Sequence, residues 1–202
     1  MGKLDLALGY LSGPMEYVSD HGVEWRRKFI KLIYEAGLDI DLIDPTNKPG
    51  NHQKLGEDKG YQTKLKKEKR WKELSEYVAE YRRYDLRYVD YSDFIVVVVD
   101  PRVPQWGTSN EVYFAEMQHK PTFFVCEGGL ENLPNWLFDL LDFENDQPIN
   151  VFENIEEVVQ VLKQIDSGEK ELSKEWVLVR KYIEKNRQDR LALEANKVSR
   201  PK

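Results

Sequence analysis

Two carboxylates stand out by where the sequence puts them. Glu111 closes the run Gly107-Thr108-Ser109-Asn110-Glu111, a short loop beyond the apolar stretch Phe94-Ile95-Val96-Val97-Val98-Val99. An unbroken β-branched run between Asp93 and Asp100-Pro101 predicts a central strand of a parallel sheet, covered on both faces. In open α/β sheets ligands bind beyond the carboxyl ends of such strands. A helix opening at Gly107-Thr108 would turn its free N–H groups to that crevice, attract anions and hold Glu111 ionised. A carboxylate fixed there can act as nucleophile or base. The same spacing also fits a capping box, in which Thr108 caps the helix and Glu111 bonds back to the cap's own N–H. Asp85 is the second carboxylate. It falls near the end of a helix among Arg82, Arg83 and Arg87, so a surface ion pair is its plainer reading.

The elements that must position these groups follow in chain order. Leu4 to Leu11 predicts a first strand, broken by Ser12-Gly13-Pro14-Met15, where Gly permits close approach and Pro stops continuation. Tyr10 lies at that strand's end, able to line a pocket or simply to pack. Ser19-Asp20 can cap a helix with Val23, Phe29, Ile30 and Ile33 in line, ending at Gly37. Leu38 to Ile43 predicts a second strand closed by Asp44-Pro45. Thr46 to Arg70 shows almost no apolar period and reads as an insertion, a lid or a solvated loop, whose lysines Lys48, Lys54, Lys59 and Lys64 could meet an anion.

From Trp71 a helical pattern returns, with Leu74, Tyr77, Val78, Tyr81 and Tyr88 on one face. After the Glu111 helix, Lys120-Pro121 precedes a strand at Thr122–Val125, and Pro134-Asn135-Trp136 opens a short helix. Ile149–Phe152 predicts the last strand, and Asn154 with Glu157 caps a helix through Ile165. Leu172, Trp176, Val179 and Ile183 form a further helical stripe, for which a second subunit is a plausible partner. Gln188 to Lys202 reads as a polar, frayed tail. The alternation predicts a doubly wound, flavodoxin-like parallel sheet of about five strands with flanking helices and an extra C-terminal helix. Residues 1–165 are expected to form one catalytic α/β domain, carrying the 46–70 insertion, with 166–202 as the C-terminal helix and tail.

Composition narrows the function classes. The chain has 202 residues, 33% charged and 41% hydrophobic, an ordinary balance for one well-buried α/β domain. A net charge of -6 argues against nucleic acid as the main partner. No apolar run approaches a membrane span, and Met1 to Leu8 lacks the pattern of a signal peptide, so a cytoplasmic protein is expected. The single cysteine, Cys126, reads as a small buried thiol. His21, His52 and His119 are scattered, and no phosphate-loop, dinucleotide or hydrolase-elbow motif is present, so neither a metal nor a cofactor is expected.

Taken together, the motifs resemble the nucleoside 2-deoxyribosyltransferase family, including the related nucleoside 5′-phosphate N-glycoside hydrolases. The resemblance spans roughly Leu6 to Val125. It is carried by Tyr10-Leu11-Ser12-Gly13-Pro14-Met15, by Asp44-Pro45, by Asp85 followed by Ser92-Asp93 and the valine strand, and by Gly107-Thr108-x-x-Glu111 with Ala115 and Lys120-Pro121. It implies Glu111 as the nucleophile at the anomeric carbon of a sugar, and Asp85 as the group positioning sugar or base. Tyr10, Ser12, Gly13, Pro14, Asp44, Asp93, Gly107, Thr108, Ser109 and Asn110 are then expected to bind substrate. The implied partner is a small-molecule nucleoside or nucleotide, and a homo-oligomer, dimer or higher, is expected.

Gln105 and Trp106 stand where many of these transferases carry an acidic residue, so base recognition is expected to differ. The Asn132–Trp136 loop is a candidate for completing a neighbour's site. Two alternatives stay open. A phosphoribohydrolase of the lysine-decarboxylase-like type shares the Gly-Thr-x-x-Glu element but has a Gly-Gly pair where this chain reads Pro104-Gln105-Trp106. A non-catalytic nucleotide sensor on the same fold is the other.

Overall fold

The computed structural model describes residues 2–48, 58–171 and 176–198. In chain order the elements are β1 (Ala7–Ser12), α1 (Val23–Glu35), β2 (Ile40–Ile43), α2 (Lys59–Lys67), α3 (Trp71–Tyr91), β3 (Phe94–Val99), α4 (Trp106–Glu116) and β4 (Thr122–Cys126). A small hairpin of β5 (Phe143–Glu144) and β6 (Gln147–Pro148) precedes β7 (Val151–Phe152), α5 (Ile155–Ser167) and α6 (Val179–Val198). The main sheet has five strands in the order β2-β1-β3-β4-β7, and every pair in it is parallel. This is the doubly wound, flavodoxin-like arrangement expected from the alternation of elements. The order reverses between β1 and β3, so a crevice opens beyond the carboxyl ends of those strands.

Strand alternation sorts the core into two layers. Phe94 and Val96 join Leu11, Phe29, Ile33, Val158 and Leu162 on the face covered by α1 and α5. Ile95, Val97 and Val99 join Tyr10, Val89, Val112, Ala115 and Phe124 on the face covered by α3 and α4. The same period of two puts Tyr10 and Ser12 on the α4 side while Leu11 points the other way. Cys126, at the end of β4, is a buried free thiol whose pKa burial pushes up, as suits a packing role.

Several local expectations need correction. The stretch 46–70 is not simply a loop: Asp58 caps α2 by accepting from Tyr61 N, and Leu65 is fully buried. The Tyr61 ring meets Tyr77 of α3 edge-on at 5.1 Å between centroids, so a short i, i+4 apolar pair among lysines is enough to dock a helix. Lys54, with the rest of 49–57, lies outside the described residues. Trp176 is not part of a helix; it packs on Phe94 and Phe123, at 5.4 and 6.1 Å between ring centroids, and α6 begins only at Val179. Leu172 lies outside the described residues. The tail expected to fray continues as helix to Val198.

The α6 start is tied to its own chain. Asp93 Oδ1 accepts from Val179 N at 2.8 Å, and Lys181 Nζ donates to the Lys3 carbonyl at 3.0 Å. Among the described residues no helix is long and apolar enough to cross a membrane.

Candidate active site

The helix carrying Glu111 starts earlier than its sequence suggests. Gln105 Nε2 donates to Asp100 O at 2.7 Å, folding the loop back, and Gln105 O accepts from Ser109 N and Ser109 Oγ at 2.9 Å each. The first turn is therefore Trp106 to Ser109, with no side-chain cap. Thr108 is a buried helical residue and Glu111 lies in the second turn, so the capping box does not form. The helix-start effect on Glu111 is lost with it, because that effect fades within the first turn.

Glu111 is instead held by β1. Tyr10 Oη donates to Glu111 Oε1 at 2.7 Å, and Ser12 Oγ donates to Glu111 Oε2. Tyr10 is fully buried, and burial with the Glu111 charge keeps its phenol well above the ordinary range, hence a donor. Glu111 itself is half-buried at a cavity of about 280 Å³ bounded by the β1–α1 loop, α3 and the start of α4. Its pKa is pushed up to about 7 by burial first and by the Asp85 charge second, against the two hydroxyl donors and Arg26. The expectation of a carboxylate held ionised by a helix start is replaced by one poised to titrate near neutrality.

Asp85 lines the same cavity from α3. It is 7% exposed, not a surface residue, because Asp85 and Val89 fall on the buried face of α3 while the neighbouring arginines point outward. Its partner is Lys48, with Nζ 2.9 Å from Asp85 Oδ1. Burial raises the Asp85 pKa, and Lys48 is the largest influence in the opposite direction.

Arg26 is a cation that sequence reading passed over. It is fully buried, donating from Nε to Leu11 O at 3.1 Å, from Nη1 to Gly22 O at 2.7 Å and from Nη2 to Gly13 O at 3.1 Å. It thereby shapes the turn after Ser12 and lines the cavity. Gly22 has φ +70, and a Cβ there would sit 2.4 Å from Arg26 Nη1 and 2.5 Å from Pro14 O, so both the backbone and the guanidinium require glycine. A usable signal existed in the sequence: Arg26 falls on the same helical stripe as Val23, Phe29 and Ile33.

The other expected residues divide clearly. Gly13, Pro14, Gly107, Thr108 and Asn110 line the cavity beside Glu111 and Asp85. Tyr10 and Ser12 stand behind Glu111. Ser109 spends its hydroxyl on Gln105 O, off the cavity. Asp44 accepts from Thr46 N at 2.8 Å and Thr46 Oγ1 at 2.7 Å, with Arg26 Nε at 3.7 Å, and so braces the turn behind the site. Asp93 is not brought to the site at all. It precedes β3, at the amino edge of a parallel sheet, where its oxygens accept from Leu8 N and Val179 N at 2.8 Å each. Apolar walls come from Val78, Tyr81 and Leu86 of α3 and from Pro104, and Trp106, 78% exposed, stands at the rim. Lys59, expected near an anion, donates to Met15 O at 2.7 Å and ties α2 to the β1–α1 loop. Among the described residues no group of His, Cys, Asp and Glu is placed to hold a metal ion.

No protein-family model matches this sequence, and no curated protein matches it. Among solved structures the chain is similar to the 2-desoxiribosyltransferase from Leishmania mexicana, at 16% identity and a TM-score of 0.40. That similarity covers 59% of this chain and 64% of the other, less than two thirds of its length.

Proposed function

We propose that this chain cleaves or exchanges the N-glycosidic bond of a (deoxy)nucleoside or its 5′-monophosphate, with Glu111 as the nucleophile. The observation that carries the reading is the hydroxyl-clamped Glu111 facing Asp85 across one cavity, at the switch point of the sheet. The motif resemblance around Tyr10–Met15 and Gly107–Glu111 supports it. The apolar wall from α3 suits a flat base, and the carboxylate end suits the sugar.

In the first step a Glu111 oxygen bonds to the anomeric carbon as the carbon–nitrogen bond breaks, and the electron pair leaves with the base. Tyr10 and Ser12 aim the carboxylate, and the negative charge stabilises the oxocarbenium-like transition state. In the second step water or an incoming base attacks the same carbon and releases Glu111 as carboxylate. An attacking nucleophile gives up its proton, and the departing base gains one.

Exchange is the expected outcome when a second base is present, because an occupied, partly apolar cavity disfavours water. Incubating the protein with a deoxynucleoside and a different free base, then separating products by chromatography, tests this. A new nucleoside supports exchange; free sugar with no new nucleoside leaves hydrolysis. No base released from any nucleoside or nucleotide in a panel would refute the reading.

The acid limb of kcat/KM should follow Glu111. Because its pKa is pushed up to about 7, base release should fall tenfold for each pH unit below that value, as the neutral acid cannot attack. A rate independent of pH from about 5 to 8 would contradict this assignment.

A further inference from the structure

Lys48 stands at the end of the short turn that follows β2, and its side chain is 1% exposed. Its Nζ is 2.9 Å from Asp85 Oδ1 and 5.8 Å from the centroid of the Tyr81 ring. A buried ammonium must recover its lost hydration from its partners. Replacing such a pair by apolar residues is often neutral for stability, so stability alone gives no reason for a charged pair beside an open cavity.

We propose that Lys48 is a positioning residue of this site: its ammonium holds Asp85 as a carboxylate, so that Asp85 meets a ligand as a hydrogen-bond acceptor and not as an acid. The identity of that ligand rests on the function proposed above; the charge on Asp85 belongs to the free protein. An acceptor at this position selects ligands presenting N–H or O–H groups, such as an amide or amino edge of a base or a sugar hydroxyl. The departing base then takes its proton from water in the cavity, and the hydroxide so formed is neutralised by the proton released in the second step.

The charge balance around Asp85 is set from several elements. Lys48 faces it from the turn after β2 and Arg26 from α1, while Glu111 acts from α4 and Tyr10 from β1. Tyr88 is its titratable neighbour on α3, and Arg82 lies at the rim. An Asp85 kept negative also keeps its repulsion on Glu111.

The test is a titration of side-chain carboxyl carbons by 13C NMR, with Asp85→Asn and Glu111→Gln used to assign the two signals. In the unmodified protein near neutral pH, Asp85 should show the shift of an ionised group; a protonated Asp85 overturns the proposal whatever the variants do. In Lys48→Met its proton affinity should rise about tenfold or more. Lys48→Arg should restore the midpoint. A folded Lys48→Met protein with Asp85 unshifted would reduce Lys48 to a packing role. The titration needs no substrate. A protein that releases no base therefore refutes the function and not this inference, and an unshifted Asp85 in an active protein does the reverse.

Discussion

Glu111→Gln should lower base release by at least about a thousandfold while leaving the fold in place, because loss of a nucleophile removes the covalent route altogether. The amide keeps the size of the side chain, and the Tyr10 and Ser12 hydroxyls can rotate to pair with it. Linkage sharpens the comparison. The Glu111 pKa is raised from 4.5 to about 7 on folding, so the folded protein binds the proton more tightly than the unfolded chain. Stability from this group is fully present below about pH 4.5 and is lost as pH rises through about 7. Glu111→Gln, which has no charge to bury, should match the wild type in acid and exceed it above neutrality, by on the order of 1–3 kcal/mol. Turnover by single-substrate chromatography and thermal melts across pH check the two halves. Near-wild-type turnover in a folded variant would sink the assignment.

Arg26→Met should cost about 3–5 kcal/mol of folding stability, the range for breaking one member of a buried ionic network. For a chain of this size that is a fall in Tm of roughly 10 °C. The methionine fills the space of the stem but leaves the carbonyls of Leu11, Gly13 and Gly22 without their donor and Asp44 without its counter-charge. Burial already lowers the Arg26 pKa, with Asp44 the largest influence holding it up, as a strained but compensated cation should behave. Activity should fall with stability, since the same carbonyls shape the turn at Gly13-Pro14 beside Glu111. The exposed neighbour provides the control: Arg27→Met should melt within about 0.5 kcal/mol of wild type. Equal melts for the two variants would show that the buried contacts contribute nothing.

The presence and sequence of the five strands were legible because they depend on local pattern, whereas limits such as Leu4 to Leu11 for β1 and Ile149–Phe152 for β7 missed the observed Ala7–Ser12 and Val151–Phe152. The Phe94–Val99 run, the strand at Thr122–Val125 and the Asn154–Glu157 cap follow from period, β-branching and turn residues, which are properties of neighbours in the chain. Glu111 was singled out for its place at the carboxyl edge, and that placement follows from the same pattern. The helix start did not, because Gln105 bonds to Asp100 across the loop, and no cap residue marks it in the sequence. Asp93 was drawn toward the ligand edge by its motif; direction of travel in a parallel sheet puts it at the opposite edge, under α6.

The charges around the site belong to the tertiary structure alone. Asp85 looks like a surface residue among arginines until α3 turns it inward, and Lys48 looks solvated until the turn after β2 lays it against Asp85. Arg26 drew no notice in the sequence, yet it is the donor that closes the turn after Ser12. A sequence records which residues alternate and where the chain must turn, so it determined the sheet, its two faces and the carboxylate at its edge. Which charges meet is decided by elements far apart in the chain, 37 positions separating Lys48 from Asp85 and 101 separating Tyr10 from Glu111. Burial and pairing over such distances, and the pKa values that follow from them, exist only once the layers have packed.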